Sequence, residues 1–169
     1  MNLAKSVLWI LIGILTGILV LWGIRVFSHS ELDDVTLGIQ CDESLLMKSD
    51  VLWIIPKFEN KSISDNLEWC SHILSLNKTL GLHGIEHQYK EFEGDIDEDY
   101  LNLGIGEFES CFGFKPKIFK APQLALSLEN KKMVESFGMK VYENFNQIIH
   151  KVYHCSDSGR FSNKLIEKF

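Results

Sequence analysis

Two histidines stand four residues apart in the segment LHGIEHQY, residues 82–89. At this spacing, His83 and His87 can share one face of a helical turn. Imidazole nitrogens are ligands for Zn, Co, Ni or Fe. The apolar run 79–82, which we predict to be a strand, ends at His83, and sites in α/β sheets lie beyond the carboxyl ends of strands. The alternative is a pair of ordinary hydrogen-bonding histidines, which is the commoner fate of a bare HxxxH pattern.

Carboxylates follow a second predicted strand. Residues 35–41 (VTLGIQC) are short, apolar and β-branched at their start, and they stop at Asp42 and Glu43. A carboxylate and two imidazoles would leave coordination positions open for water and substrate, which is typical of a catalytic metal site. Asp33 and Asp34 form a rival acid pair. We weight this pair less because it precedes the predicted strand instead of ending it.

Alternating apolar runs and amphipathic segments predict an α/β architecture. The predicted strands after the first are residues 51–55, 79–82, 117–119, 140–142 and 151–153, and the predicted helices are residues 64–76, 97–112, 128–137 and 163–169. The interval between Glu43 and Val51 is too short for the helix that a regular βα repeat would place there. The sequence therefore predicts a trimmed sheet with its site at the carboxyl edge.

The first 30 residues differ in character from the rest. Residues 6–24 carry no charge, and 19 residues in a helix cover roughly 28 Å of hydrocarbon. We therefore predict a membrane anchor at residues 1–30 and a soluble domain at residues 31–169. A cleavable signal peptide is the rival interpretation, but its apolar region is usually shorter and ends in a small-x-small site. The weak bias in basic residues favours an inside amino terminus and an extracytoplasmic domain.

Charge and cysteine content narrow the function. Residues 31–169 hold 15 Lys and Arg against 23 acids, a net charge of −8. Such a surface repels phosphate backbones, so nucleic acid is not an expected partner. The four cysteines lack zinc-finger spacing, and one disulfide is compatible with an extracytoplasmic domain, although the sequence does not say which cysteines pair.

The order of these motifs resembles the polysaccharide deacetylase superfamily (the NodB-homology domain), in particular its divergent branch with an HGxxHxY motif. The resemblance covers roughly residues 35–160, and LHGIEHQY carries it. It implies a trimmed, distorted (β/α) barrel of the polysaccharide deacetylase type, preceded here by one transmembrane helix.

The resemblance also implies roles for individual residues. Asp42 would be the general base, and Glu43, His83 and His87 would be the metal ligands. Lys120, in the segment FKAP at residues 119–122, takes the place of an arginine that orients the base. His154 would be the general acid, with His150 as the alternative. Glutamate in place of aspartate at 43 and lysine in place of arginine at 120 are departures from the family pattern, since lysine cannot grip a carboxylate with two prongs.

These roles imply a membrane-anchored, metal-dependent hydrolase that removes acetyl groups from N-acetylated sugars of a cell-envelope polysaccharide. It would cleave a carbon–nitrogen bond other than a peptide bond. The expected cofactor is a divalent metal ion, zinc first, with Co, Ni or Fe as alternatives. The expected partners are an acetylated glycan and, through residues 6–24, a membrane. One alternative is an inactive domain of the same fold that binds glycan or an envelope partner, and a weaker one is an unrelated zinc hydrolase that uses His83 and His87.

Overall fold

The computed structural model describes residues 3–168, which begin with one long apolar helix. Helix α1 (Leu3–Phe27) contains the stretch Lys5–Phe27, which is long and apolar enough to cross a membrane. None of its apolar window is buried against the rest of the described protein. Only Ser28 and His29 separate α1 from the first strand.

The remaining chain forms a six-stranded parallel sheet with helices between the strands. In chain order, the elements are β1 (Ser30–Val35), α2 (Glu43–Lys48), β2 (Val51–Ile54), β3 (Lys57–Phe58), β4 (Lys61–Ser62), α3 (Leu67–Ser75), β5 (Thr79–His83), α4 (Glu98–Phe112), β6 (Ile118–Lys120), α5 (Leu128–Ser136), β7 (Lys140–Tyr142), α6 (Asn144–Ile149), β8 (Lys151–His154) and α7 (Asn163–Lys168). The strand order is β7-β6-β5-β2-β1-β8, and β3 and β4 form a separate antiparallel hairpin. Short 3-10 turns lie at Ile63–Asp65, Pro122–Leu124 and Cys155–Asp157.

The sheet is curled because its two edges are joined by a short connection. Strands β7 and β8 lie at opposite edges, yet only residues 143–150 connect them. A flat sheet of six strands would separate these edges by about 24 Å, whereas the six residues of α6 cover about 9 Å. Inside the curve, the ring of Tyr142 lies 5.0 Å from Trp53 and 6.2 Å from His150. The predicted distorted barrel of the deacetylase type is confirmed as a curled half-barrel.

The two faces of the sheet have different chemistry, because side chains alternate along each strand. The outer face carries apolar residues such as Leu32, Leu52 and Phe119, which pack into the core beneath the helices. The inner face carries Glu31 and Asp33 from β1, with Trp53, His83 and Lys120 from the neighbouring strands. Polar side chains thus line the hollow of the half-barrel.

The first strand differs from its prediction. Strand β1 is Ser30–Val35, and residues 36–41 form a turn and a loop, so the predicted strand at residues 35–41 is wrong. The fifteen residues 36–50 then leave room for α2, and the expectation that no helix fits before β2 is wrong as well. The other predicted strands are confirmed to within one or two residues, as are the helices at 97–112 and 128–137. Helix α3 starts at Leu67 with Asn66 as its N-cap, a little later than predicted. In the predicted C-terminal helix, residue 169 lies outside the described residues.

The structure contains two disulfides. Cys41 pairs with Cys155, and Cys70 pairs with Cys111, with Cα–Cα distances of 4.5 and 5.4 Å. The first bridge ties the loop after β1 to the turn after β8, and the second joins α3 to α4. The sequence indicated one possible bridge and left its pairing open, so the second bridge goes beyond that expectation.

Candidate active site

The carboxyl ends of four parallel strands meet at one cavity of about 580 Å³. Strand β1 delivers Asp33 and Asp34, β5 delivers His83, β6 delivers Lys120, and β8 delivers His154. The parallel arrangement explains this convergence, because all these strands end at the same edge of the sheet.

Asp34, His83 and His87 form one cluster of potential metal ligands. The Asp34 Oδ1 atom lies 3.5 Å from His83 Nε2 and 3.0 Å from His87 Nε2. The three potential donor atoms all lie within 4.8 Å of one another. Asp34 adopts a positive φ of 66°, and its Oδ2 accepts a hydrogen bond of 2.8 Å from Ser158. A carboxylate oxygen and two imidazole nitrogens are a donor set that suits Zn²⁺ and leaves open positions.

Neighbouring groups orient His83. Its Nδ1 lies 2.9 Å from the carbonyl oxygen of Lys120, so Nδ1–H is the donor and Nε2 faces Asp34. A backbone carbonyl that fixes the outer imidazole nitrogen in this way is a common second partner of a metal-binding histidine.

The charges of the cluster reinforce one another. Burial alone would raise the pKa of the Asp34 carboxyl, but hydrogen bonds and positive charge from His83 and His87 hold that pKa far below its usual range. Burial alone would lower the pKa of His83, yet the hydrogen bond that His83 donates to Asp34 and the charges of Asp33 and Asp34 raise it. Asp34 is therefore a carboxylate at neutral pH, the form that binds cations.

His87 reaches this cluster through a loop and not through a helical turn, so the expectation of a shared helical face is wrong. Gly84 and His87 both have positive φ angles, of 63° and 59°. The Glu91 carboxylate accepts hydrogen bonds from the backbone N–H groups of Ile85 and Glu86, and the Tyr100 hydroxyl donates to the same carboxylate. The loop is thus held in shape by the half-buried carboxylate of Glu91.

Asp33 and Lys120 form the second half of the site. The Lys120 Nζ atom lies 2.8 Å from Asp33 Oδ1 and 3.2 Å from Glu31 Oε2. Burial alone would lower the pKa of Lys120, but these two carboxylates raise it, so the ammonium is charged. The other Asp33 oxygen lies 3.5 Å from His154 Nε2. One carboxylate therefore contacts a fixed cation on one side and an imidazole on the other.

His154 and Glu31 have contrasting surroundings. The Nδ1 atom of His154 is buried and has no hydrogen-bond partner among the described residues, and the backbone of Gly159 packs against the ring. Glu31 is fully buried, accepts a 2.7 Å hydrogen bond from Trp53 Nε1 and contacts His150 Nδ1. His150, the alternative acid of the sequence analysis, thus lies in the hollow of the half-barrel and does not line the cavity.

The structure brings together four of the six site residues predicted from the sequence, namely His83, His87, Lys120 and His154. It does not bring Asp42 or Glu43 to them, and this corrects the predicted acid pair. Asp42 is an exposed N-cap whose side chain accepts the N–H of Ser44, and the exposed carboxylate of Glu43 lies 3.3 Å from His72. The rival pair Asp33–Asp34 occupies the cavity instead.

The sequence analysis missed four residues that support the site. Glu91 and Tyr100 hold the loop that carries His87. Glu31 accepts a hydrogen bond from Lys120, and Ser158 donates one to Asp34. Only Glu31 had a sequence signal, since it alternates with Asp33 along a strand.

No protein-family model and no curated protein matches this sequence. Among solved structures, the chain is similar to the chitin deacetylase from the fungal pathogen Colletotrichum lindemuthianum, with a TM-score of 0.52 and 11% identity over 82% of this chain and 62% of that chain. A mutant of a CE4 family pseudoenzyme gives a TM-score of 0.50 and 15% identity over 66% of this chain and 42% of that one. The wild-type pseudoenzyme, from Bacillus anthracis, gives a TM-score of 0.47 and 18% identity over 55% of this chain and 32% of that chain.

The chain spans from about a third to three fifths of the length of these structures. At such identities the similarity concerns the fold. The described chain therefore has the curled parallel-sheet fold of the CE4 polysaccharide deacetylases.

Proposed function

We propose that this protein is a membrane-anchored, metal-dependent hydrolase that removes acetyl groups from N-acetylated sugars of a cell-envelope glycan. The observation that carries the proposal is one cavity that holds both a ligand cluster, Asp34, His83 and His87, and a neighbouring carboxylate–imidazole pair, Asp33 and His154. The chitin deacetylase with the same fold supports the substrate class.

Asp34, His83 and His87 would hold the divalent cation. A cation bound there would polarise the acyl carbonyl and the attacking water. Two imidazoles and one carboxylate favour zinc, with Co, Ni and Fe as further candidates. In this proposal Asp34 replaces Glu43 as the carboxylate ligand.

Asp33 replaces Asp42 as the general base. Lys120 donates a hydrogen bond to Asp33 Oδ1, which leaves Oδ2 to accept a proton from the attacking water. His154, next to Oδ2, would donate a proton to the nitrogen of the leaving amine. Lys120 therefore orients the base, while Asp33 and His154 would move protons.

The location of the domain is part of the proposal. Residues 1–30 would anchor the chain by α1, and residues 31–169 would face the extracytoplasmic side. The two disulfides support this topology, because disulfides persist mainly in oxidising compartments. The negative net charge gives no reason to expect nucleic acid as a partner.

A non-catalytic domain that binds glycan is the second candidate. Two observations favour it: a CE4 pseudoenzyme shares the fold, and Lys120 stands where the family resemblance implies arginine. The same cavity would then bind an acetylated sugar without hydrolysing it.

Metal content and acetate release separate these candidates. We would purify the full chain in detergent, load it with Zn²⁺ and measure bound metal beside Asp34→Asn and His83→Ala/His87→Ala. We expect about one zinc per chain in the wild type, and a loss of at least tenfold in affinity in both variants. Asp42→Asn and Glu43→Gln are the matched controls and should bind zinc like the wild type.

Acetate release from acetylated chito-oligosaccharides then tests catalysis. Asp33→Asn should bind zinc and lose at least a hundredfold in kcat, because a positioned general base contributes on that order. A wild type that binds zinc and sugar but releases no acetate would support the non-catalytic candidate. A folded wild type without metal would contradict the proposal.

A further inference from the structure

The anchor helix contacts the half-barrel through Arg25. The Arg25 Nη1 atom donates a 2.7 Å hydrogen bond to the carbonyl of Ile148 and a longer one, of 3.4 Å, to that of Gln147. Both carbonyls lie in the last turn of α6, where backbone acceptors lack partners within the helix. With only two residues between α1 and β1, this contact places α6 beside the end of the anchor.

A groove lies at this junction. It encloses about 270 Å³ and is lined by Arg25, Gln147, Val152, Phe161, Leu165 and Ile166. Four of the six side chains are apolar. Gln147 and Phe161 also line the catalytic cavity, so the two spaces share a wall. A molecule in the cavity can therefore extend towards the end of the anchor.

The surface around the groove is apolar and exposed. Ile148 on α6, whose carbonyl accepts the hydrogen bond from Arg25, is 52% exposed, and Phe161, which lines the groove, is 55% exposed. Exposed apolar residues gathered at one place mark an interaction surface. Since the same place adjoins the end of a candidate membrane span, the proposed anchor would put the bilayer next to this surface.

Two polar atoms in the groove wall are unpaired. Arg25 Nε and Gln147 Oε1 are buried and have no hydrogen-bond partner among the described residues. One is a donor and the other an acceptor, so they suit a polar linkage between a sugar and a hydrocarbon chain. A purely apolar occupant would leave both atoms unsatisfied.

We propose that the groove between α1, α6 and α7 binds the hydrocarbon end of a membrane-embedded, acetylated glycolipid, whose sugar reaches the catalytic cavity. The occupant is a lipid chain, because the groove opens beside the anchor at the membrane surface. This inference rests on the proposed deacetylase function for the sugar end. It narrows the substrate from a free polysaccharide to a lipid-linked sugar.

The test compares two glycosides on the full chain in lipid nanodiscs. One is dodecyl N-acetylglucosaminide with a diazirine in its alkyl chain, and the other is methyl N-acetylglucosaminide. We expect kcat/KM for the dodecyl compound to exceed that for the methyl compound at least tenfold. Leu165→Gln should remove most of this preference and leave the methyl compound unaffected, because Leu165 lines the groove and not the cavity.

Leu128→Gln is the matched control, since Leu128 is an exposed leucine at the start of α5, away from the groove. Partition of the dodecyl compound into the bilayer is the same for both variants. A difference between the variants in the preference for the dodecyl compound therefore measures binding in the groove alone. Photolabelling should modify residues 161–166 in the wild type.

Labels confined to α1, or equal effects of Leu165→Gln and Leu128→Gln, would contradict the proposal that the groove binds the hydrocarbon chain. If neither glycoside is hydrolysed, the proposed function fails, while labelling of residues 161–166 still decides whether the groove binds the lipid chain.

Discussion

At the scale of single residues, Lys120 balances two buried carboxylates. Its ammonium contacts Asp33 and Glu31, and all three side chains are at most 6% exposed. Breaking a buried ion pair by removing one partner is costly, because the remaining charge is uncompensated. The lysine is thus as much a part of the fold as of the site.

Replacing Lys120 by methionine should therefore destabilise the protein strongly. We expect Lys120→Met to lower the free energy of unfolding by about 3–5 kcal/mol, the usual range for an orphaned buried charge. Lys117→Met, an exposed lysine three residues away, should change it by no more than about 0.5 kcal/mol. Denaturant unfolding of the full chain, followed by near-UV circular dichroism, measures both.

The pair Glu31→Gln and Lys120→Met should be non-additive. The double variant removes one of the two carboxylates that Lys120→Met leaves without an ammonium partner, so its loss should be smaller than the sum of the single losses. Strict additivity would mean that Lys120 and Glu31 do not interact in the folded state.

Single residues of the site differ in whether a local sequence pattern can identify them. The histidines were found because their spacing and their place after an apolar strand are visible in one segment. The acids were assigned to Asp42 and Glu43 because an apolar run precedes them, whereas Asp33 and Asp34 end a strand that reads as polar. Contacts between distant segments, such as Ser158 to Asp34, leave no local pattern.

At the scale of elements, α4 contains two glycines with different surroundings. A Cβ on Gly104 would clash with the side chain of Ile85, which lies between His83 and His87, whereas a Cβ on Gly106 would meet open space. Gly104 therefore permits the close approach of α4 to the histidine loop, and Gly106 is a conformational cost within the helix.

The two substitutions should have opposite effects. Gly104→Ala should destabilise the protein by about 1–3 kcal/mol, as overpacking does, and weaken zinc binding by shifting Ile85. Gly106→Ala should stabilise it by about 0.5–1 kcal/mol and leave zinc binding unchanged. Thermal unfolding and a zinc titration of each variant check this, and a stabilised Gly104→Ala would contradict the packing argument.

The disulfides provide a second comparison between elements. The Cys41–Cys155 bridge spans 114 residues and the Cys70–Cys111 bridge spans 41, and loop-entropy arguments give losses of about 4–5 and about 4 kcal/mol for their removal. Their effects on the site should differ more. Cys155 follows His154 and lies three residues before Ser158, whereas Cys70 and Cys111 lie in the outer core.

We therefore expect Cys41→Ser/Cys155→Ser to reduce zinc affinity and kcat, while Cys70→Ser/Cys111→Ser lowers stability alone. Zinc titration and acetate release at a temperature where both variants are folded measure the difference. Equal losses of affinity would show that the first bridge does not position the site.

The elements best predicted from the sequence were those with apolar patterns. Strand β2 is buried throughout and helix α4 has an N-cap and a left-handed glycine at its end, so both were located closely. Strand β1 was misplaced because its inner-face residues, Glu31 and Asp33, are charged. A sequence with charged residues at alternate positions looks like a loop unless it is known that this face of the strand lines a polar hollow. Helix α6 was missed because half of its residues are asparagine or glutamine and because it packs against α1 and β8, elements distant or short in the sequence pattern.

At the scale of the whole molecule, curvature and anchoring depend on the same short connection. Residues 143–150 draw the two edges of the sheet together, and their helix accepts the hydrogen bonds from Arg25 on α1. Removing those hydrogen bonds should therefore affect both the anchor contact and the closing edge. Sequence patterns predicted the anchor and the sheet separately, but not this link, since it depends on one arginine meeting backbone carbonyls more than a hundred residues away.

The side of the membrane on which the half-barrel lies can be tested through its cysteines. Both disulfides require an oxidising compartment, whereas a domain in the reducing cytosol would keep its thiols free. Cells expressing the full chain would be lysed in acid to quench thiol exchange, and the protein treated with maleimide-polyethylene glycol before and after reduction. We expect no mass shift before reduction and a shift of four labels after it.

A variant with Lys5→Glu and two added lysines after Arg25 should invert the basic bias around α1, and its cysteines should then react without reduction. If the unmodified chain already reacts without reduction, the extracytoplasmic assignment is wrong, and with it the access of the site to envelope glycans.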